Sequence, residues 1–264
     1  MKTISVSLFN RPDYTKQVLN ALEKCTGIEE YHIFIRAEPG DSKEIKETIS
    51  IANSFSHSNK NLIVNPKRFG CGINIWSCLD TAFSKTNTDF HIHFEDDTVP
   101  SKDCLKYFEW VSDYYKKDKD VAVSTCYSKI SNFVVSDKFK NAVKKTRWFI
   151  PWGWGLWRDT WENVLKEELF NRITKSKTYL SWDGHTNNIL EDHNLFMSFP
   201  ILSRSQNIGA LNGVHCPGEE FHKQRQWTEL FVDDLGIYEK EFYEVIEPEL
   251  IQYTQANKLR HNKR

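Results

Sequence analysis

The sequence predicts an α/β fold with a mostly parallel sheet flanked by helices. Short apolar runs alternate with amphipathic helical patterns from residue 4 to about residue 125, and such alternation is typical of consecutive βαβ units. Right-handed crossovers between the strands then place helices on both faces of the sheet. The 264 residues suffice for one large domain with a substantial buried core.

Each element is predicted from its own pattern. Pro12 suits the first turn of a helix, and Val18, Leu19 and Leu22 follow it at helical spacing. The predicted strands are Ile4–Phe9, Tyr31–Arg36, Asn61–Val64, Phe90–Phe94 and Val121–Thr125. The predicted helices are Asp13–Lys24, Ser42–Phe55, Ile73–Ser84 and Lys102–Tyr115.

The alternation stops after about residue 127. Residues 128–146 are rich in lysine and are expected to be irregular, and five of the nine Trp lie in residues 148–161. No repeat or Pro/Gly-rich linker divides the chain, so we expect one domain. Its N-terminal half, residues 1–126, is predicted to be of nucleotide-binding type. Its C-terminal half, residues 127–264, is predicted to be of acceptor-binding type.

The composition narrows the class of protein. With 35 basic and 36 acidic side chains the net charge is −1, which gives no general attraction to nucleic acid or anionic membrane. The apolar runs are too short to span a bilayer, and the N-terminus reads as a strand and not as a signal peptide. Six Cys without a C-x-x-C pair indicate reduced thiols. We therefore expect a cytoplasmic protein. Its basic C-terminal tail is expected to be a solvated end, with contact to a membrane surface or to a partner as the alternative.

The strongest chemical signal is the run Glu95, Asp96 and Asp97 at the end of a predicted strand. Crowded carboxylates repel one another unless a cation or hydrogen-bond donors compensate. Ligands of parallel α/β sheets lie beyond the carboxyl ends of the strands, where this run is expected. Mn²⁺ or Mg²⁺ is the natural cation, since either is commonly held by one or two carboxylates together with water and phosphate oxygens. Helix capping by Asp97 or Thr98 is the alternative.

Polar residues also follow the other predicted strands. Arg11 and backbone amides at a helix start could hold a base or diphosphate. Glu38, after the second strand, could bind base or ribose. Arg68 and the nearby Gly70, at the start of a further helix, could contact diphosphate or sugar. Ordinary strand-to-helix turns are the alternative for each. These candidate binding residues are Asn10, Arg11, Pro12, Glu38, Arg68 and Gly70.

The motifs form an ordered series along the chain. In order they are NRPDY, EPGD, NPKRFGCGINIW, HFEDDTVPSKDCLKYFEW, PWGWGLWRDTW, SWD and SRSQNIG followed by His215. The series resembles the nucleotide-sugar-dependent glycosyltransferases of the GT-A fold, especially inverting family-2-like bacterial enzymes with a W-[GA]-W-[GA]-x-W-[KR]-x-x-W signature. It is more distantly similar to the Golgi N-acetylglucosaminyltransferase. The resemblance covers residues 4 to about 222 and implies a GT-A, Rossmann-like fold with an acceptor-side C-terminal half.

The resemblance implies a metal-dependent inverting transferase that moves a sugar from a nucleoside diphosphate, with UDP the expected carrier, to a hydroxyl of a saccharide or other acceptor. Asp97 would bind the metal, and Asp96 with Glu95 would lie at the donor. His215 would be a second metal ligand or a diphosphate contact, with His222 as a rival. Departure of the diphosphate builds negative charge, which a divalent cation stabilises as a Lewis acid.

An inverting transfer also needs a base for the acceptor hydroxyl. Asp183 in Ser-Trp-Asp is the expected base, with Glu191 and Asp192 as alternatives, because Gly184 stands where the distant relatives have a second acid. Helix capping is the non-catalytic role open to Asp183.

The Trp-rich segment is expected to be shared between binding and core. Indoles stack on sugar rings and donate hydrogen bonds to hydroxyls, so two Trp residues are predicted to contact the acceptor. Core packing is the alternative for each Trp. The predicted roles are Trp152 and Trp182 at the acceptor, Gly153 and Trp154 at the donor, and Trp157 and Trp161 in the core.

Two other classes of function stay open at this stage. A nucleotidyltransferase also combines an α/β sheet with metal and nucleotide, although it would more typically have a glycine-rich basic loop after the first strand. A non-catalytic saccharide-binding module is the other. The motifs name neither sugar, linkage nor acceptor, so nucleic acid also stays open as an acceptor, and they predict no oligomeric state.

Overall fold

The five strands and four helices predicted up to residue 125 are all present, with ends that differ by a few residues. The computed structural model describes residues 1–130, 135–175, 180–209 and 241–245. Its strands are β1 (Lys2–Leu8), β2 (Tyr31–Ala37), β3 (Lys60–Val64), β4 (Phe90–Glu95), β5 (Thr98–Pro100), β6 (Val121–Thr125), β7 (Ala142–Thr146), β8 (Trp154–Trp157), β9 (Phe196–Pro200), β10 (Ser205–Asn207) and β11 (Tyr243–Glu244).

Helices cover both faces of the sheet. They are α1 (Pro12–Glu23), α2 (Lys43–Ser54), α3 (Cys71–Lys85), α4 (Cys104–Tyr114), α5 (Arg158–Thr160), α6 (Lys166–Lys175) and α7 (Trp182–Asp192). A π-helical turn, Trp161–Leu165, joins α5 to α6, and 3₁₀ turns lie at Ile28–Glu30 and Asp137–Phe139.

The described residues form one nine-stranded sheet in the order β11-β7-β9-β6-β8-β4-β1-β2-β3, and a two-stranded ribbon of β5 and β10. Strands β3, β2, β1 and β4 are mutually parallel, as predicted, so their carboxyl ends meet at one edge. The structure departs from the prediction further along: β8 enters antiparallel between β4 and β6, and β7 pairs antiparallel with β9.

Two segments for which no strand was predicted, one of them expected to be irregular, therefore contain strands. Strand β7 lies within the lysine-rich stretch, and β8 consists of WGLW from the Trp-rich segment. All four residues of β8 are buried, so its sequence lacks the apolar–polar alternation of a half-exposed strand. Hydrophobic periodicity therefore does not predict it.

The two faces of β1 differ in chemistry. Ile4, Val6 and Leu8 belong to an apolar cluster that includes residues of α1, α2 and α4. Thr3 and Ser5 are fully buried on the opposite face, which α3 covers, and Ser7 is nearly so. The alternation follows from the strand period of two.

A hydrogen-bonded column of alternating hydroxyls and imidazoles, here called the histidine ladder, joins β1 to β4. Its members are Thr3, Ser5, Ser7, His91 and His93. The His91 ring bonds Thr3 Oγ1 and Ser5 Oγ at 2.8 Å each, and the His93 ring bonds Ser5 Oγ at 2.8 Å and Ser7 Oγ at 3.3 Å. Burial lowers the pKa of His91 well below its usual range and that of His93 to about 3.

The ladder predicts a loss of stability in mild acid. The folded state keeps His91 and His93 neutral while the unfolded chain protonates them near pH 6.5, so stability present above that pH is lost as the pH falls. With both rings contributing, the slope approaches about 2.7 kcal/mol per pH unit below pH 6. Urea unfolding between pH 7.5 and 5.5 measures it. A His91→Gln/His93→Gln variant should start less stable yet show a flatter slope; equal slopes would refute the prediction.

No helix in the part of the chain that the structure describes is long and apolar enough to cross a bilayer. The cysteines in that part carry free thiols: Cys25, Cys71, Cys78, Cys104 and Cys126. The basic tail lies outside the described residues.

Candidate functional site

The three consecutive carboxylates occupy the end of β4 and the turn that follows it. Glu95 is the last residue of β4, and Asp96 and Asp97 form the turn into β5. Asp96 is only 3% exposed, whereas Glu95 and Asp97 are half-buried. The next helix, α4, has Asp103 at its N-cap. In the described part of the chain, the first helix after Asp97 is therefore capped by Asp103, and Thr98 lies in a strand.

Arg11, the N-cap residue of α1, reaches two of these carboxylates at once. Its Nη1 donates to Asp97 Oδ2 at 2.8 Å, and its Nη2 donates to Asp96 Oδ1. The other oxygen of Asp96 accepts the backbone N–H of Phe9 at 3.4 Å. Burial by itself would lower the pKa of Arg11, yet the two carboxylates raise it above its usual value. Arg11 is therefore a permanent, partly buried cation within the carboxylate cluster.

The loop after β10 closes over Asp97. The backbone N–H of Ile208 donates to the carbonyl of Asp97 at 2.8 Å, and the N–H of Gly209 donates to Asn207 Oδ1 at 2.9 Å. A Cβ on Gly209 would lie 2.2 Å from Asp97 Oδ2, closer than any side chain tolerates. The sequence alone assigned no role to Asn207 or Gly209; the available signal was the glycine of the Asn-Ile-Gly stretch.

Asp183 lies close enough to the same cluster to act on it electrostatically. Burial raises the pKa of Glu95 well above its usual range, and the charges of Asp97, Asp96 and Asp183 raise it further against the opposing effect of Arg11. The charges of the four carboxylates Glu95, Asp96, Asp97 and Asp183 are thus opposed by the guanidinium of Arg11. The excess negative charge favours an additional cation at this edge of the sheet.

Asp183 is the second residue of α7, and Ser181 is the N-cap. The capping position is thus held by Ser181, whose hydroxyl donates to Asp183 Oδ1. Glu191 and Asp192 lie at the other end of α7, about 12–13 Å further along the helix axis at 1.5 Å per residue. Both are exposed, and Asp192 pairs with Arg172 at 2.7 Å. The structure brings Asp183 to the carboxylate cluster and leaves Glu191 and Asp192 away from it.

The loop before α3 borders the cluster on a second side. Glu38 is 3% exposed and accepts the backbone N–H of Phe69 at 2.9 Å, so its carboxylate holds the loop in place. The exposed guanidinium of Arg68 stacks over the Phe9 ring at 4.2 Å. Gly70, the N-cap of α3, has φ +82°, and a Cβ there would meet no atom of the described residues within 4 Å. As far as those residues go, the space beside the N-terminus of α3 is therefore open.

Two predicted donor residues frame the same edge. Asn10 is exposed in the turn between β1 and α1, and Pro12 is the first residue of α1.

Cys71 is the first residue of α3, and its Sγ lies 3.9 Å from Glu95 Oε2. Sequence reasoning gave Cys71 no role at the site, because nothing in a scattered cysteine indicates that its helix will start beside a carboxylate.

The Trp-rich segment is mostly core. Trp154 is fully buried and stacks on Trp182, which is 8% exposed, with ring centroids 5.9 Å apart. Trp157 and Trp161 are buried, as predicted. Trp152 is half-buried and meets Tyr127 edge-on at 4.7 Å. Of the rings predicted at donor and acceptor, that of Trp152 is therefore the most accessible.

Gly153 serves packing in this arrangement. It is buried with φ +78°, and a Cβ there would lie 2.5 Å from Cys126 Sγ and 2.9 Å from Phe94 Cε1. The positive φ and the close approach both call for glycine. Its backbone contacts the core beneath the carboxylate turn.

The residues present suit a hard divalent cation that takes much of its coordination from a ligand. No three His, Cys, Asp or Glu among the described residues converge to hold a metal alone, and His215 and His222 lie outside those residues. Asp97 Oδ1 accepts no hydrogen bond from a described residue, whereas Oδ2 accepts one from Arg11. Mg²⁺ and Mn²⁺ commonly bind through one or two carboxylates together with phosphate oxygens. A free carboxylate oxygen in a site of excess negative charge is therefore a suitable protein ligand for either ion.

Comparison with solved structures identifies the fold. S. aureus TarS 1-349 superposes with a TM-score of 0.53 at 12% identity over 78% of this chain and 60% of that one; its UDP complex gives 0.51 at 16% identity over the same shares. GalNAc-T7 with UDP, GalNAc and Mn²⁺ gives 0.54 at 10% identity over 80% of this chain and 44% of that one. The chain thus has a GT-A-type glycosyltransferase fold and spans about half the length of these proteins.

Sequence comparison adds no closer relative. No protein-family model matches this chain, and no curated protein sequence matches it.

Proposed function

We propose that this protein is a glycosyltransferase that moves a sugar from a uridine diphosphate donor to a hydroxyl of a saccharide or other acceptor, with inversion at the anomeric carbon. The observation that carries the proposal is the convergence of Asp97, Asp96 and Glu95 with Arg11 and Asp183 at the carboxyl edge of a GT-A-type sheet. This is the edge at which open α/β sheets bind their ligands.

The donor is proposed to lie over the ends of β1 and β4. Asn10, the exposed Arg68 and the open N-terminus of α3 offer amide, guanidinium and backbone N–H donors, all suited to a diphosphate. The structures of GalNAc-T7 and TarS with UDP support a uridine nucleotide.

A divalent cation, if bound at Asp97, would stabilise the negative charge that develops on the departing diphosphate. Asp97 Oδ1 would be its protein ligand, and Glu95 is a further carboxylate of the same cluster. Arg11 and the backbone of Gly209 keep the Asp97 carboxylate in position.

Asp183 is the proposed base. The hydroxyl of Ser181 holds Asp183 Oδ1, and Oδ2 accepts no hydrogen bond from a described residue. As the acceptor oxygen bonds to the anomeric carbon, its proton passes to Asp183, and the electron pair of the broken sugar–diphosphate bond leaves with the nucleoside diphosphate. A carboxylate suffices as base, because the hydroxyl becomes acidic only as the new bond forms.

Thermal unfolding with nucleotides tests the proposal. We expect UDP or a UDP-sugar with Mn²⁺ to stabilise the protein; a ligand at a hundred times its Kd contributes about 2.7 kcal/mol, which corresponds to a rise in Tm of about 5–10 °C. GDP-mannose and UDP without metal are the comparison ligands.

Two matched variants locate the effect. Asp97→Asn should lose the Mn²⁺-dependent part of the shift, whereas Asp192→Asn, the same change at the far end of α7, should retain it. No shift with any nucleotide in the presence of Mn²⁺ would contradict the proposal. Saccharide binding without any release of nucleoside diphosphate would instead indicate a binding module.

A further inference from the structure

Arg11 neutralises the part of the cluster where a cation would otherwise bind. Its guanidinium takes Asp97 Oδ2 at 2.8 Å and Asp96 Oδ1 at the same time, and its side chain is only 18% exposed. Asp96 Oδ2 is taken by the amide of Phe9. Three of the four carboxylate oxygens of Asp96 and Asp97 thus have a donor. Within the part of the chain that the structure describes, Asp97 Oδ1 has none and is free for a metal ion.

This arrangement sets two physical limits on a metal ion bound by the protein alone. The one free oxygen of these two aspartates is a poor ligand set for Mn²⁺ or Mg²⁺, which coordinate about six ligands. Even with Glu95 nearby, no three His, Cys, Asp or Glu among the described residues converge to hold a metal ion. The fixed charge of Arg11, bonded to the same carboxylate, also repels an incoming dication in a site that is poorly screened by water. A diphosphate would relieve both limits, because it brings further oxygen ligands and negative charge.

We infer that Arg11 makes cation binding depend on the nucleotide: it keeps the free protein's affinity for a divalent cation low, so that metal and nucleoside diphosphate bind as a pair. The inference rests on the proposed function and assigns Arg11 a positioning and coupling role. Arg11 remains bonded to Asp97 Oδ2 throughout and holds Oδ1 toward the ligand. By thermodynamic reciprocity, the nucleotide must bind more weakly without the metal by the same factor.

Mn²⁺ binding measured by the electron paramagnetic resonance signal of the free ion tests the inference without an activity assay. For the unaltered protein we expect UDP to increase the affinity for Mn²⁺ by about 5–150-fold, the usual range of coupling between sites. Arg11→Gln should bind Mn²⁺ alone about tenfold more tightly, and UDP should increase that affinity less.

Two further variants separate charge from geometry. Arg11→Lys keeps the positive charge and should keep the weak binding of Mn²⁺ alone, although an ammonium cannot bridge both carboxylates. Arg147→Gln removes the same charge at an exposed position bonded to Asn194 and should behave as the unaltered protein. If Arg11→Gln fails to fold because Asp96 is left unpaired, Arg11→Gln/Asp96→Asn replaces it.

The outcomes are distinguishable. Equal affinity of Mn²⁺ for Arg11→Gln and the unaltered protein would overturn the inference, and so would tight binding of Mn²⁺ to the unaltered protein without UDP. Calorimetry follows UDP binding in the same samples. If UDP binds and leaves Mn²⁺ affinity unchanged, the inference fails and the proposed function survives. If UDP does not bind, the proposed function fails, and the inference, which rests on it, fails with it.

Discussion

Asp183→Asn is expected to lower the rate of sugar transfer by about 10²–10⁴-fold, the range that a positioned general base contributes. The amide cannot accept the proton of the acceptor hydroxyl, yet it keeps the size of the side chain and an oxygen for the Ser181 hydroxyl. The rise in Tm caused by UDP and Mn²⁺ should persist, because the base acts on the acceptor. Release of UDP in the presence of acceptor measures the rate.

The two alternative bases provide internal controls for this experiment. Glu191→Gln and Asp192→Asn change exposed carboxylates at the far end of α7 and should leave transfer near the unaltered rate. If Asp183→Asn turned over normally while one of these two did not, the assignment of the base would pass to that residue.

Arg204→Met is expected to reduce the free energy of unfolding by about 3–5 kcal/mol, because it leaves the carboxylate of Asp103 buried without its partner. Arg204 is fully buried, and its Nε donates to Asp103 Oδ2 at 2.9 Å. Its other guanidinium nitrogens donate to the carbonyls of Lys140 and Leu202 and to Asn141 Oδ1. This one side chain joins segments that lie far apart in the sequence.

A double variant separates the buried charge from the lost packing. Asp103→Leu/Arg204→Met removes both charges and should be less destabilised than Arg204→Met alone, because replacing a buried pair with apolar groups often costs little. Urea unfolding at pH 7.5 gives both values. A double variant at least as unstable as the single one would indicate that the hydrogen bonds to Lys140, Leu202 and Asn141 dominate.

The parallel part of the sheet could be predicted because local pattern and tertiary role agree there. The apolar runs of β1, β2 and β4 and the helical spacing after Pro12 each specify one element type. Strand β8 could not be predicted in this way, since a strand buried on both faces has no alternation to detect. Its one glycine and two tryptophans also suggest a loop as readily as a strand.

The candidate site was predictable where the strand ends carry it. The position of Glu95–Asp97 and of Arg11 follows from the rule that ligands bind at the carboxyl edge. The ion pairs of Arg11 with both aspartates do not follow, because side-chain direction in a turn depends on the whole fold. The approach of Gly209 to Asp97 depends on pairing between β5 and β10, which lie about a hundred residues apart in the sequence.

The position of β8 has a consequence for synthesis on the ribosome. Strands β4 and β6 are not neighbours in the sheet, because β8 lies between them and pairs with both. A nascent chain that has released only residues 1–126 therefore leaves one edge of β4 and both edges of β6 unpaired, because β6 also pairs with β9. The joining of β4 to β6 waits until Trp157 has left the exit tunnel. During that interval the exposed edges invite wrong pairing, either with each other or with a neighbouring nascent chain. Translation speed between residues 126 and 157 should therefore affect the yield of folded protein more than speed elsewhere.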